Sequence, residues 1–210
     1  METKFLTKDW TVGQLNALVK IIGEKNAKKV LNGTAKFQII SERFLESLGI
    51  IDIAPVKMKR DDYLKEGHNG TTKLYLSDNF KNMFLNHVSE TIDYAGGKLE
   101  KLKLTKDRSD FQINEERGGI LIQTIDDIAG QIIALTSKQP KGENGDLINN
   151  GYANIFYFLD DENRLFYVSV EWLADYVTWN GYADVANAHA WGEGRVVLSP
   201  ATPDPGDVEA

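Results

Sequence analysis

Within residues 171–191, Trp172, Tyr176, Trp179, Tyr182 and Trp191 crowd together with Glu171, Asp175, Asp184 and His189. Aromatic faces attract cations and the apolar faces of sugars, and nearby carboxylates add acceptors of fixed direction. This composition suits a face that binds a sugar, a cationic ligand or a peptide. The stronger reading of most of these side chains is as the core of a meander packed on a helix. Both roles fit on one strand, because alternate residues face opposite ways. The candidate ligand-binding set is therefore Trp172, Tyr176, Trp179, Tyr182, Glu171, Asp175, Asp184 and His189.

A second chemistry is electrostatic. Lys25, Lys28, Lys29, Lys57, Lys59 and Arg60, with Lys98, Lys101 and Lys103 further on, could gather into a surface for nucleic acid. Residues 1–110 carry 19 Lys and Arg against 15 Asp and Glu, whereas residues 111–210 carry 5 against 16. The net charge of −7 is thus polarised along the chain. That split fits one face meeting an acidic partner, or two elements packing through complementary surfaces. The modest excess in the basic half and its few arginines weigh against nucleic acid.

Other constellations have duller explanations. His87 and Glu90 would share a helix face as ligands or as an acid–base pair, and they read equally as a surface histidine near a helix end. Asp61 and Asp62 with His68 could hold a divalent cation through oxygen, although loop carboxylates are ordinarily just solvated. The run Asp160-Asp161-Glu162-Asn163 lacks the alternating spacing of a calcium loop and reads as a hairpin turn. There is no phosphate loop ending in Lys-Ser/Thr, no GxGxxG after a strand, no GxSxG elbow and no HExxH. With no cysteine in the chain, thiolate zinc sites and cysteine nucleophiles are excluded. No metal and no cofactor is expected.

The elements that must position these residues are read from periodicity and caps. Thr11 and Gln14 form a capping box, and Leu15, Leu18, Val19 and Ile22 continue a helix to Gly23. A shorter helix with Ala27, Val30 and Leu31 ends at Gly33, so residues 1–33 read as a helical hairpin. A strand is expected over 35–41, and a helical turn or two over Phe44, Leu45 and Leu48. Further strands are expected at Thr72–Leu76 and across Leu99, Leu102 and Leu104, with a short helix after Ser77 or Asp78. Thr124 caps a helix whose buried stripe is Ile125, Ile128, Ile132 and Leu135, with Asp126 and Asp127 at its positive end. Residues 138–151 are expected to be a mobile loop. A hairpin comes next, turning at 160–163, and strands near 182–188 and 195–198 would complete an antiparallel meander.

The segments WTVGQLNALVKIIGEKNAKKVLNG, YLSDNFKNMFL, NGYANIFYFLD and WGEGRVVLS occur in an order that resembles a widespread group of uncharacterised bacterial proteins from uncultured lineages. The resemblance spans most of the chain from Trp10 to Ser199 and implies one coherent fold. It carries no activity, cofactor or catalytic residue.

The expected fold class is α+β: an N-terminal helical hairpin (1–33), then an α+β core (34–198) with a mixed β-rich middle and a helix packed on a C-terminal antiparallel meander. A disordered acidic tail (199–210) would end the chain. An apolar fraction of 42% and a charged fraction of 26% place the chain among ordinary globular proteins. METKFLTKDW has no apolar run of signal-peptide length, and no stretch reaches membrane-spanning length. The expectation is a cytoplasmic, non-catalytic binding or interaction protein with a protein or small-molecule partner and no membrane. The alternatives are a nucleic-acid-binding protein and a hydrolase with an unrecognised carboxylate or metal site.

Overall fold

A computed structural model describes residues 43–118, 121–187 and 190–201, together with Lys20. The chain divides into two compact units, Met1–Glu42 and Arg43–Ala210, and the described residues, Lys20 apart, belong to the second. The expected helical hairpin, the strand over 35–41 and residues 202–210 lie outside the described residues, again with the exception of Lys20. No helical hairpin is part of the described fold.

Among the described residues strand outweighs helix, at 43% against 24%. The strands are β1 (Leu45–Ile53), β2 (Val56–Lys59), β3 (Gly67–Asn69), β4 (Thr72–Leu76), β5 (Thr91–Tyr94), β6 (Gly97–Leu104) and β7 (Arg108–Ser109). They continue with β8 (Ile122–Gln123), β9 (Asn154–Leu159), β10 (Leu165–Leu173), β11 (Thr178–Val185), β12 (Ala190–Trp191) and β13 (Val196–Pro200). The helices among the described residues are α1 (Arg60–Tyr63), α2 (Asp78–Met83), α3 (Asp110–Glu116) and α4 (Ile125–Lys138), with single 3-10 turns at Leu85–His87 and Ala174–Tyr176.

Nine strands form one mixed sheet in the order β1-β6-β13-β9-β10-β11-β4-β3, with β8 also paired to β9. This corrects the α+β expectation and its closing meander. Of the C-terminal strands described, β9, β10 and β11 run as consecutive antiparallel neighbours. β11 next pairs with β4 in parallel, and β13 returns to lie antiparallel to β6 and parallel to β9. The chain leaves the sheet after Val185 because Asn187 and Trp191 are bound to Asp110 on α3. β13 runs through Ser199, which is fully buried, and Pro200, so the strand continues into the segment expected to be tail.

Phe44, Leu45 and Leu48 have helical spacing, yet Leu45–Ile53 is a strand. Its pairing with β6 sets Glu46 opposite Lys103 and Asp52 opposite Lys98, and Gly49 at φ 109° takes the bulge between the two registers. Cross-strand charge pairs and a bulge glycine outweigh a local period of three residues.

Both faces of the sheet are covered in part. On one, α4 and α2 bury Ile128, Ile132, Phe80 and Phe84 against Phe156, Phe158, Val168 and Trp179. On the other, α3 and its flanks place Ile113, Leu121 and Phe44 over Leu102, Leu104, Ile155, Tyr157 and Val197. α4 begins where its local signals say: the Thr124 hydroxyl accepts the Asp127 N–H at 3.1 Å. Thr124→Ala is expected to cost about 1 kcal/mol, read as a shift in the urea midpoint.

The 139–151 loop is tied down rather than loose. The Gln139 side chain donates to the carbonyls of Glu143 (2.6 Å) and Leu147 (3.0 Å) and accepts the Leu147 N–H at 2.8 Å. Gly142, at φ 67°, lies so close to Trp172 that a Cβ there would stand 2.1 Å from the indole. Gly and Asn are needed here for close approach and backbone bonding, and their abundance alone imitates a flexible segment.

Candidate functional site

On β10 and β11 the side chains alternate between the two faces. Val168, Val170 and Trp172 with Trp179 and Ala183 enter the α4-side core. Tyr167, Ser169, Glu171, Asn180, Tyr182 and Asp184 consequently take the other face, where Tyr167 stands opposite Asp184 and Ser169 opposite Tyr182.

α3 closes one end of this face. Its start is set by a capping box in which the Ser109 hydroxyl accepts the Gln112 N–H and the Gln112 side chain accepts the Ser109 N–H. That fixes Asp110 at the first helical position, 1% exposed. The β7–β12 ribbon pairs Ser109 with Ala190 and Arg108 with Trp191, which brings the indole to the carboxylate. Asp110 Oδ1 accepts from the Tyr157 hydroxyl (2.7 Å) and Trp191 Nε1 (2.6 Å), and Oδ2 accepts from the Asn187 backbone N–H (3.0 Å). Burial pushes the Asp110 carboxyl above its ordinary value despite these three donors, and Asp184 pushes the same way.

A cavity of about 330 Å³ opens there, lined by Asp110, Tyr167, Tyr182, Asp184, Asn187, Ala190 and Trp191. The Tyr167 ring meets Trp191 edge-on at 4.9 Å and lies 6.3 Å from Tyr182. Tyr182 donates to Asp184 Oδ2 at 3.0 Å and accepts from Asn79 Nδ2 at 3.1 Å. Burial and the neighbouring Asp184 raise both phenols, Tyr167 and Tyr182, above their usual range, so they remain neutral donors at physiological pH. Among the described residues that line the cavity none is Lys or Arg. Its walls offer π faces, neutral hydroxyls and two carboxyl groups, a combination complementary to a positively charged group. Both carboxylates accept from groups of their own fold, Asp184 from the Tyr182 hydroxyl on Oδ2 and the Val185 N–H on Oδ1 at 2.8 Å, but Asp184 is only half-buried and is the carboxylate nearer solvent.

The eight residues expected from sequence are distributed over several places. Tyr182 and Asp184 reach the cavity. Trp172 and Trp179 are core, packed edge to face at 5.4 Å, with Trp179 Nε1 donating to the Gln139 carbonyl at 2.7 Å. Tyr176 and Asp175 are exposed at the tip between β10 and β11. Glu171 accepts from Asn180 Nδ2 at 2.7 Å, on the cavity's face but nearer that tip. His189 lies outside the described residues. Asp110, Tyr157, Tyr167 and Trp191 complete the site and are absent from the expected set. The Ser109–Gln112 spacing is the local signal for Asp110, whereas the alternation from Tyr157 to Tyr167 identifies neither residue's neighbours.

Of the basic alternative, Lys57 and Lys59 on β2 and Arg60 at the start of α1 lie among the described residues. Lys57 pairs with Asp93 at 2.5 Å. Arg60 donates to Asp61 Oδ1 at 2.7 Å and to the carbonyls of Leu85 (3.3 Å) and Val88 (3.0 Å), a structural tie between segments. Lys59 is exposed. Lys25, Lys28 and Lys29 lie outside the described residues. His87 ends a 3-10 turn before Glu90, so the two share no helix face. Asp160 Oδ1 accepts the N–H groups of Glu162 (3.0 Å) and Arg164 (2.8 Å), which is turn chemistry. Among the described residues no group of three His, Cys, Asp or Glu side chains is placed to hold a metal ion. None of the helices among them is long and apolar enough to cross a membrane. No family model, curated protein or solved structure matches this chain.

Proposed function

We propose that this is a non-catalytic, cytoplasmic binding protein that holds a positively charged group in the cavity between Asp110, Trp191 and the Tyr167–Tyr182–Asp184 face. The observation that supports it is the lining, which among the described residues has three aromatic rings and two carboxyl groups and no Lys or Arg. A volume of about 330 Å³ suits a single amine or guanidinium side chain or a small free amine. The commitment of Asp110 to three donors of the fold favours a positioning role over acid–base catalysis. The internal engagement of Lys57 and Arg60 weighs against the nucleic-acid alternative.

Calorimetric titration with agmatine, and with a neutral methyl glucoside as the contrasting probe, tests the proposal. Agmatine is expected to bind and the glucoside not to. Asp184→Asn should weaken agmatine at least tenfold, about 1.4 kcal/mol, while the thermal midpoint stays close to wild type. Absence of agmatine binding, or binding indifferent to Asp184→Asn, would refute the assignment of the cavity.

A further inference from the structure

A second cavity, of about 490 Å³, is lined by Leu74, Tyr75, Leu173, Tyr176 and Thr178, with Lys73 and Glu66 at its rim. Strand alternation sets its position. Trp172 and Trp179 are paired and enter the α4-side core, so their neighbours Leu173 and Thr178 face the other way. Leu74 is opposite Trp179 and Tyr75 opposite Asn180, which puts Tyr75 on that same far face. The acidic cavity and this mostly apolar one therefore open on one face of the same strands. Asp184 and Thr178 are six residues apart on β11, or about 20 Å at the rise of a strand.

Between the two cavities this face carries the polar residues Ser169, which is buried, and the half-buried Glu171 and Asn180. The cluster under α3 and its flanks covers this face over β6, β9 and β13 and reaches Tyr167 on β10 and Tyr182 on β11. At the apolar end Tyr75 is 54% exposed and Tyr176 69% exposed. Between them and the sheet, Val177 is held at φ 46°. A β-branched residue is costly in that conformation, and such strain concentrates where a surface is shaped for contact. The Lys73 ammonium donates to the Tyr176 carbonyl at 3.2 Å and holds the tip in place.

Resting on the cation-binding reading of the acidic cavity, we infer that the ligand is an extended peptide segment whose basic side chain enters that cavity while an apolar side chain about six residues away enters the second. Charge complementarity selects the first anchor, and the apolar lining with its exposed tyrosines selects the second. A six-residue extended chain spans the gap, because each residue advances about 3.3 Å. The polar floor between the anchors suits the backbone of such a segment.

The test uses blocked peptides of about seven residues, with arginine and leucine at opposite ends of a serine–threonine spacer, made in both sequence orders. Controls replace either end by alanine, and agmatine serves as the small cation alone. One order is expected to bind the full chain at least tenfold more tightly than either control. Asp184→Asn should remove the advantage of arginine, and Tyr75→Ser with Tyr176→Ser that of leucine, each leaving the other intact. Circular dichroism melts check that the variants fold. If agmatine and the leucine-lacking control bind as tightly as the full peptide, the peptide inference is overturned and the cation-binding cavity stands. If no probe shows Asp184-dependent binding, the reading of the cavity fails too.

Discussion

Asp110→Ala is expected to lower the free energy of unfolding by about 3–5 kcal/mol, read from urea denaturation at neutral pH. The carboxylate is buried and binds three donors from three separate segments: Tyr157 on β9, Asn187 after β11 and Trp191 on β12. Alanine leaves all three N–H and O–H groups without their acceptor, in a place where water reaches poorly. Asp110→Asn should cost less, because its carbonyl oxygen still accepts from Tyr157 and Trp191. Its amide, however, would meet the Asn187 N–H donor to donor. A loss below about 1 kcal/mol for the alanine variant would mean that this carboxylate does not hold the segment.

The same residue predicts a pH dependence. Burial raises the Asp110 carboxyl above its ordinary value. The unfolded chain therefore releases this proton first, at about pH 3.9, while the folded protein still holds it. Between that pH and the raised value the folded state binds more protons, so this group's contribution to stability declines as pH rises. Subtracting the Asp110→Asn profile from wild type over about pH 4 to 7 isolates the effect. A difference that grows with pH would reverse the sign and contradict the burial argument.

Gly130→Ala is the second large effect, and its sign opposes helix propensity. In an exposed helix interior the exchange is worth about 1 kcal/mol in favour of alanine. Within α4, however, a Cβ at position 130 would stand 2.4 Å from the Tyr94 Cβ and 2.7 Å from its Cγ. Those atoms sit at the root of the side chain and cannot swing aside, so α4 or β5 must move. The expected result is a net destabilisation of about 1–3 kcal/mol. A stabilised variant would show that the helix and β5 are not in contact at this point.

The elements legible in the sequence are those whose signals are local. Thr124, Asp126 and Asp127 at one end and the Ile125–Leu135 period mark α4 within fourteen residues. Near-continuous runs of aromatic and aliphatic residues mark β9 and β10, and the Asp160–Asn163 turn joins them. α3 escapes a reading by periodicity, because a helix of seven residues with Ile113 as its one buried apolar side chain shows no period, although its capping box is in plain view. β1 imitates a helix because its strand character lies in its pairing with β6 and not in its own spacing.

For the aromatic and acidic residues of 171–191, alternation determined that they divide between two faces, and nothing local determined which face is core. α4 settled that by covering the Trp172–Trp179 side. Asp110, some seventy residues earlier, settled the rest by drawing Asn187 and Trp191 out of the sheet and over Tyr167, Tyr182 and Asp184. By itself the sequence determined the cap of α4, the strands β4, β9 and β10 with their own β-rich runs, and the absence of thiol chemistry, which depend on neighbours along the chain. Only the tertiary structure decided the register, the sheet order and the cavity, because each depends on contacts between residues far apart in sequence.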